Sequence, residues 1–306
     1  MSHDHGGHRL GGDRPDYGRA FALGAALNVG FVAVEVVFGL LSGSLALLAD
    51  AGHNAGDVVG LLLAWGAHSL GQRQATARHT YGWRSASILA ALFNALILLG
   101  AVGGIGWEAI RRLSSPAPVA TNTVIWVAAA GTVVNTATAL LFLRGRKEDL
   151  NVRGAFLHMA ADAGVSLGVV AAGLVIRATG ATWLDPAASL AIGVVILISG
   201  WDLFREALHL ALGGVPRDVD LGEVRSYLGG LPGVERVHDL HVWAMSTTET
   251  ALTAHLVKPD PAGDDELLAE ATHGLEQRFD IDHVTIQWER DGGTCPGNSP
   301  CQQTNI

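Results

Sequence analysis

From Phe21 to Leu212 the chain is written in apolar and small residues, interrupted by short polar stretches. Six apolar segments stand out, at about 17–41, 44–70, 85–110, 120–143, 154–177 and 186–211. A helix rises about 1.5 Å per residue, so roughly 20 residues cross a hydrocarbon layer about 30 Å thick. The pattern therefore predicts six transmembrane helices. After Gly213 the pattern changes. A helical stretch fits about 219–230, and alternating strand patterns follow at about 234–246 (VERVHDLHVWAMS) and 249–257 (ETALTAHLV). A second helix fits 264–279 and a last strand 283–289 (HVTIQWE). The expected fold class is a membrane α-helical bundle followed by a cytoplasmic α+β domain of ferredoxin-like αββαβ order. The expected organisation is a flexible arm at 1–16, a six-helix membrane domain at 17–213, the αββαβ domain at 214–291 and a tail at 292–306.

Composition sharpens this. The 306 residues are 49% hydrophobic and 16% charged, against about 25% charged in soluble domains. That excludes a disordered chain and argues against an ordinary cytosolic enzyme. A formal net charge of −9 argues against a nucleic-acid partner. Two cysteines cannot build a disulfide scaffold, and 39 glycines suit close helix packing in lipid. The polar N-terminus (MSHDHGGH) shows no cleavable signal pattern. Basic residues gather in the N-terminal arm (Arg9, Arg14, Arg19) and in the connections after the second and fourth segments (Arg73, Arg78, Arg84; Arg144, Arg146, Lys147, Arg153). The opposite connections carry Arg111, Arg112 and Arg177. The positive-inside rule then places both termini in the cytoplasm. Residues 214–291 hold sixteen acidic against six basic side chains, a local excess that attracts cations.

Charges inside the apolar segments carry the chemistry. An Asp near the middle of a membrane helix costs about 2.5–3.5 kcal/mol on insertion scales, so such residues read as functional. The second segment holds His53 and Asp57 (LLADAGHNAGD) and the fifth holds His158 and Asp162 (FLHMAADAG). Both pairs are spaced H-x-x-x-D, which puts each pair on one helical face. Two imidazoles and two carboxylates make a complete tetrahedral set for Zn²⁺. Counting residues from the segment ends puts all four in one layer of the membrane. The plainer alternative is two separate polar bridges between packed helices. Asp50 lies one turn before His53, and Asn54, Asn135 and Ser166 are available as donors or acceptors to orient such ligands. Glu35, within the first segment, either lines a watery path or bonds a neighbouring helix. Metal binds only neutral imidazole, so metal and proton compete for one lone pair. A site alternately open to each face would couple the two fluxes. His3, His5 and His8 form a short Gly-rich cluster that reads as a metal-collecting arm or as a solvated tail. Cys295 and Cys301 have five residues between them in CPGNSPC, a weak zinc spacing. His238 and His241, three apart, fall on opposite faces of any regular strand.

The stretches SGSLALLADAGHNAGD, HTYGWRSASILAAL, FLHMAADAGVSLGVV, LDPAASLAIG and VHDLHVWAMS resemble the cation diffusion facilitator family, in its branch that exports zinc and sometimes cadmium or cobalt. The resemblance spans roughly 17–291. It implies six membrane helices, a ferredoxin-like cytoplasmic domain, a homodimer and exchange of a divalent metal for protons. It places the transport site on His53, Asp57, His158 and Asp162, and the His-Asp/His-Asp form goes with zinc preference. It implies regulatory metal on the cytoplasmic domain, carried over to His241, His255 and Glu289, with the Cys295–Cys301 pair as further ligands. The connection GRKEDLNVRG lacks the histidines of many relatives, and only His79 stands in the connection after the second segment.

Three function classes follow. The expectation is a zinc/proton antiporter in a bacterial inner membrane, exporting Zn²⁺ from the cytoplasm. Two His and two Asp also suit Co²⁺, Fe²⁺, Mn²⁺ and Cd²⁺. An intramembrane metalloenzyme would offer H-E-x-x-H, which is absent. A metal sensor without transport would need no ligands in mid-membrane.

Overall fold

The computed structural model describes residues 18–115, 117–143 and 150–290. The expectations for His3, His5, His8, Cys295 and Cys301 lie outside these residues. Six long helices occupy the six apolar segments: α1 (Gly18–Ser42), α2 (Leu45–Gly71), α3 (Ala86–Ser114), α4 (Thr121–Phe142), α5 (Leu150–Thr179) and α6 (Leu184–Ala211). Among the described residues, four stretches are long and apolar enough to cross a membrane: Ala86–Ser114, Thr121–Phe142, Phe156–Thr179 and Leu184–Ala211. The helix α2 is absent from this group and carries Asp50, His53, Asn54 and Asp57. Large apolar side chains such as Trp126, Val133 and Ile198 face outward, as they do where lipid is the solvent. Gly43 turns the chain between α1 and α2 at φ +69°, a backbone conformation other residues rarely take.

Among the described residues, one compact unit comprises 18–58 together with 103–194. Its core joins Phe31 of α1, Leu47 of α2, Val124, Val127 and Ala128 of α4, and Val169 of α5. Small residues set the spacing. A Cβ on Gly131 would fall 2.7 Å from the Phe31 ring and 3.2 Å from Ser166 Oγ.

The second unit comprises residues 59–102 and 195–290 of those described. It contains α7 (Leu221–Gly229), β1 (Arg236–Ala244), β2 (Thr250–Val257), α8 (Asp264–Phe279) and β3 (His283–Glu289). Asp220 starts α7 by accepting from the amides of Gly222 and Glu223. The strands form one mixed sheet in the order β1-β2-β3, with β1–β2 antiparallel and β2–β3 parallel. The parallel pair needs a crossover, and α8 supplies it. Leu240, Leu252, Leu256, Val224, Leu228 and Leu275 meet in the core between sheet and helices.

The register of β1 is irregular. His238 pairs with His255 and His241 with Thr253, so two residues of β1 face one of β2. This is a β-bulge, and its extra residue, Asp239, sits at φ +49°. Asp tolerates that conformation better than most side chains. Cross-strand partners share a face, so the bulge returns His238 and His241 to the same side of the sheet, away from the leucine core. The opposite-face expectation holds only for a regular strand, and β1 is not regular.

Candidate metal centre

An antiparallel helix pair fixes which residues meet. The earlier residue of one H-x-x-x-D motif must face the later residue of the other. His53 Nε2 lies 3.2 Å from Asp162 Oδ1, and His158 Nε2 lies 3.2 Å from Asp57 Oδ2. His158 Nε2 is also 3.7 Å from Asp162 Oδ2, and the two imidazole rings are 6.1 Å apart at their centres. His53, Asp57 and Asp162 each offer a ligand atom within 4.8 Å of the others. Four ligands held about 2.0–2.1 Å from a tetrahedral metal stand about 3.3 Å from one another, which matches the two 3.2 Å contacts.

The contacts are close, yet they are not hydrogen bonds. Asp57 Oδ2, both Asp162 oxygens and His53 Nδ1 are buried with no hydrogen-bond partner. Buried polar atoms are normally satisfied, so carboxylate oxygens left open beside imidazole nitrogens suit a shared cation. Exposure grades across the group: the Asp162 side chain is 1% exposed and that of His158 is 42% exposed.

The residues around it brace the helices. Asn54 Nδ2 donates to Glu35 Oε2 at 2.9 Å, tying α2 to α1. Ser166 Oγ donates to Asp50 Oδ2 at 2.8 Å, tying α5 to α2. Of the two readings for Glu35, the bond to a neighbouring helix is the one seen. Asn135 is buried on α4 with neither amide atom partnered. Asp185 was not singled out by sequence reasoning. This buried residue in the first turn of α6 accepts from Ser44 Oγ and from the amides of Leu45 at 2.7 Å and Ala46 at 3.4 Å. It therefore caps α2, the helix carrying His53 and Asp57. It stands in the stretch LDPAASLAIG, where nothing marks its partners at the start of α2.

A second cluster lies on the outer face of the sheet. His238 Nε2 meets Glu289 Oε2 at 2.9 Å and His255 Nδ1 meets Glu289 Oε1 at 2.9 Å. These three offer ligand atoms within 4.8 Å of one another. Burial would raise the Glu289 carboxyl, but the hydrogen bonds with His238 and then His255 outweigh it and hold it below the usual glutamate range. Of the expected regulatory set, His255 and Glu289 come together, with His238 as their third member. His241 stands apart from that trio: its Nε2 meets Asp239 Oδ1 at 3.1 Å, while Asp239 Oδ2 is 3.6 Å from His255 Nε2. The bulge, invisible to strand periodicity, made this exchange.

A helical membrane domain with paired His–Asp motifs, followed by a small cytoplasmic domain bearing a His–His–Glu cluster, defines the class: a multi-pass membrane transporter of divalent metal cations. Residues 22–210 match the cation efflux transmembrane domain, and residues 216–291 match the cation efflux protein cytoplasmic domain. The chain belongs to the cation diffusion facilitator, or cation efflux, family. Its members are transporters rather than enzymes. The chain is 38% identical over 305 residues to the metal cation efflux system protein CzcD of Cupriavidus metallidurans, covering 99% of this chain and 92% of that one. It is 39% identical over 290 residues to the zinc transporter ZitB of Escherichia coli, covering 94% and 92%. It is 35% identical over 280 residues to a cadmium, cobalt and zinc/H(+)-K(+) antiporter of Bacillus subtilis, covering 89% of each.

Proposed function

We propose that the protein exports Zn²⁺ in exchange for protons by alternating access, with His53, Asp57, His158 and Asp162 as the transport site. The observation that carries this is the gathering of His53, Asp57 and Asp162 with ligand atoms within 4.8 Å of one another, His158 3.2 Å from Asp57, and buried oxygens left open. Each imidazole takes either a metal ion or a proton on its lone pair. Metal bound from the cytoplasm is released when protons from the opposite side take its place. Asn54–Glu35 and Ser166–Asp50 hold the ligand-bearing helices in register during that exchange. The relatives' names include zinc, cadmium and cobalt; the two imidazoles favour zinc in our reading.

The same reading gives six spans, both termini in the cytoplasm, an inner-membrane location and a homodimer assembled through the cytoplasmic domain. His238, His255 and Glu289 would take a regulatory divalent ion there, because their ligand atoms already share one centre.

The test is reconstitution in proteoliposomes with a pH-sensitive dye inside. Zn²⁺ added outside should drive proton movement in the parent protein, and His53→Ala or Asp162→Asn should abolish it. Undiminished flux in either variant overturns the site. Metal binding without any flux in the parent would favour a sensor.

A further inference from the structure

Asn135 is a side chain that the four-ligand transport site leaves unused. It is 1% exposed, and neither its amide nitrogen nor its amide oxygen has a hydrogen-bond partner. Buried polar atoms are normally satisfied, so an amide open at both ends, in the middle of a helix bundle, calls for a partner that the working cycle supplies.

The packing of α4 against α5 says which residue it faces. A Cβ on Gly173 of α5 would lie 2.8 Å from the Ile125 side chain of α4, and a Cβ on Gly131 of α4 would lie 3.2 Å from Ser166 Oγ of α5. The two contacts share one antiparallel register: going from 125 to 131 along α4 corresponds to going from 173 back to 166 along α5. One further turn, about 6 Å on each helix, brings Asn135 level with Asp162. Both stand on the faces their helices bury: Gly131 and Asn135 on α4, Asp162, Ser166 and Val169 on α5.

Asp162 needs a donor at that level. Both its oxygens are buried without a hydrogen-bond partner. A four-coordinate ion takes one atom from each of its ligands. One Asp162 oxygen is then left over, out of reach of bulk water, and ligating carboxylates are themselves hydrogen-bonded. The imidazole nitrogens beside it, His53 Nε2 at 3.2 Å and His158 Nε2 at 3.7 Å, are turned to the ion in that state. The other polar side chains nearby are committed elsewhere. Ser166 Oγ donates to Asp50 at 2.8 Å, and Asn54 Nδ2 donates to Glu35 at 2.9 Å. Asn135 Nδ2 is uncommitted.

We propose that Asn135 is a positioning residue that sets which cation the transport site prefers. Its amide N–H holds one oxygen of Asp162, so the carboxylate meets the ion through the other oxygen alone. A carboxylate held to one oxygen keeps the ion four-coordinate, the geometry zinc takes. Without that donor both oxygens turn to the ion, which suits wider cations that accept more ligands, such as Cd²⁺. The inference rests on the transporter reading above and deepens it.

The experiment is proton flux in proteoliposomes driven by Zn²⁺ and, separately, by Cd²⁺, with KM and maximal rate determined for each. Asn135→Leu keeps the branched shape and loses the amide. It should raise KM for Zn²⁺ about tenfold or more and KM for Cd²⁺ by much less, so the preference moves toward Cd²⁺. Asn135→Asp keeps size and polarity but lacks the N–H, and should move the preference the same way if the leucine variant fails to assemble. An amide that only packs the helices would change both cations alike, so equal KM shifts for Zn²⁺ and Cd²⁺ overturn the proposal, as do unchanged values. Lower KM for both cations in Asn135→Asp would make the side chain an oxygen ligand and overturn it too. A parent protein that shows no flux with either cation would instead remove the transporter reading.

Discussion

Asp185 offers the most direct test of how the transport helices are held. Its carboxylate receives the Ser44 hydroxyl and the amides of Leu45 and Ala46, all buried. These amides belong to the first turn of α2 and have no partner within the helix. Asp185→Ala strands them. A buried donor left unsatisfied costs about 1–3 kcal/mol, and the charge also faces the positive end of the α2 dipole, worth about 0.3–1 kcal/mol. The Ser44 hydroxyl can turn elsewhere and the Ala46 amide, at 3.4 Å, is the weaker partner, so the two amides together cost less than twice the full single-donor penalty, about 2–4 kcal/mol. At about 2–4 °C per kcal/mol for a unit of this size, the melting temperature should fall by about 5–15 °C. Asp185→Asn keeps one acceptor oxygen and should lose about half as much. Far-UV circular dichroism of the purified protein in detergent reads both. If Asp185→Ala melts within about 2 °C of the parent, the carboxylate does not hold α2 and the capping argument is wrong.

Other expectations follow from single contacts. Gly131→Ala forces a methyl into the Phe31 ring and should destabilise by about 1–3 kcal/mol, with Phe31→Leu recovering part of it; chemical denaturation of the two single variants and the double variant checks this. Glu289→Gln removes the carboxylate shared by His238 and His255 and should weaken Zn²⁺ binding to the cytoplasmic cluster about tenfold or more by calorimetry on a His53→Ala background. Asp264 is hydrogen-bonded to Arg290 and then Lys258, which hold its carboxyl below the usual aspartate range. Its contribution to stability is therefore complete at neutral pH and disappears as pH falls through that lowered value. The acid limb of a melting-temperature profile should flatten in Asp264→Asn.

Much of the membrane domain was legible because lipid leaves the backbone few choices. Apolar runs near the spanning length form helices, and the observed ends differ from the expected ones by a few residues, most at α3 and α5. The four proposed ligands were legible for a related reason: a His and an Asp one turn apart are out of place in an apolar helix unless something uses both. Antiparallel chain direction then decides that His53 meets Asp162 and Asp57 meets His158. The brace at Asp185 was not legible, because its partners are backbone amides about 140 residues earlier. No side-chain pattern announces a helix end that is capped from another helix.

The cytoplasmic cluster shows where periodicity stops serving as a guide. Alternation along a strand assigns faces only while each residue of one strand opposes one residue of its neighbour. Burial along β1 alternates without a break, with His238, Leu240 and Val242 buried and His241 exposed, so nothing in the pattern HDLHVW marks the bulge. The bulge shows in the pairing register and in Asp239 at φ +49°. Once the bulge is placed, Leu240 and Val242 both enter the core, and His238 and His241 share the outer face. His238 then stands opposite His255 and meets Glu289 from the neighbouring parallel strand. Three residues far apart in the sequence become one candidate ligand set because β1 is one residue too long for its partner.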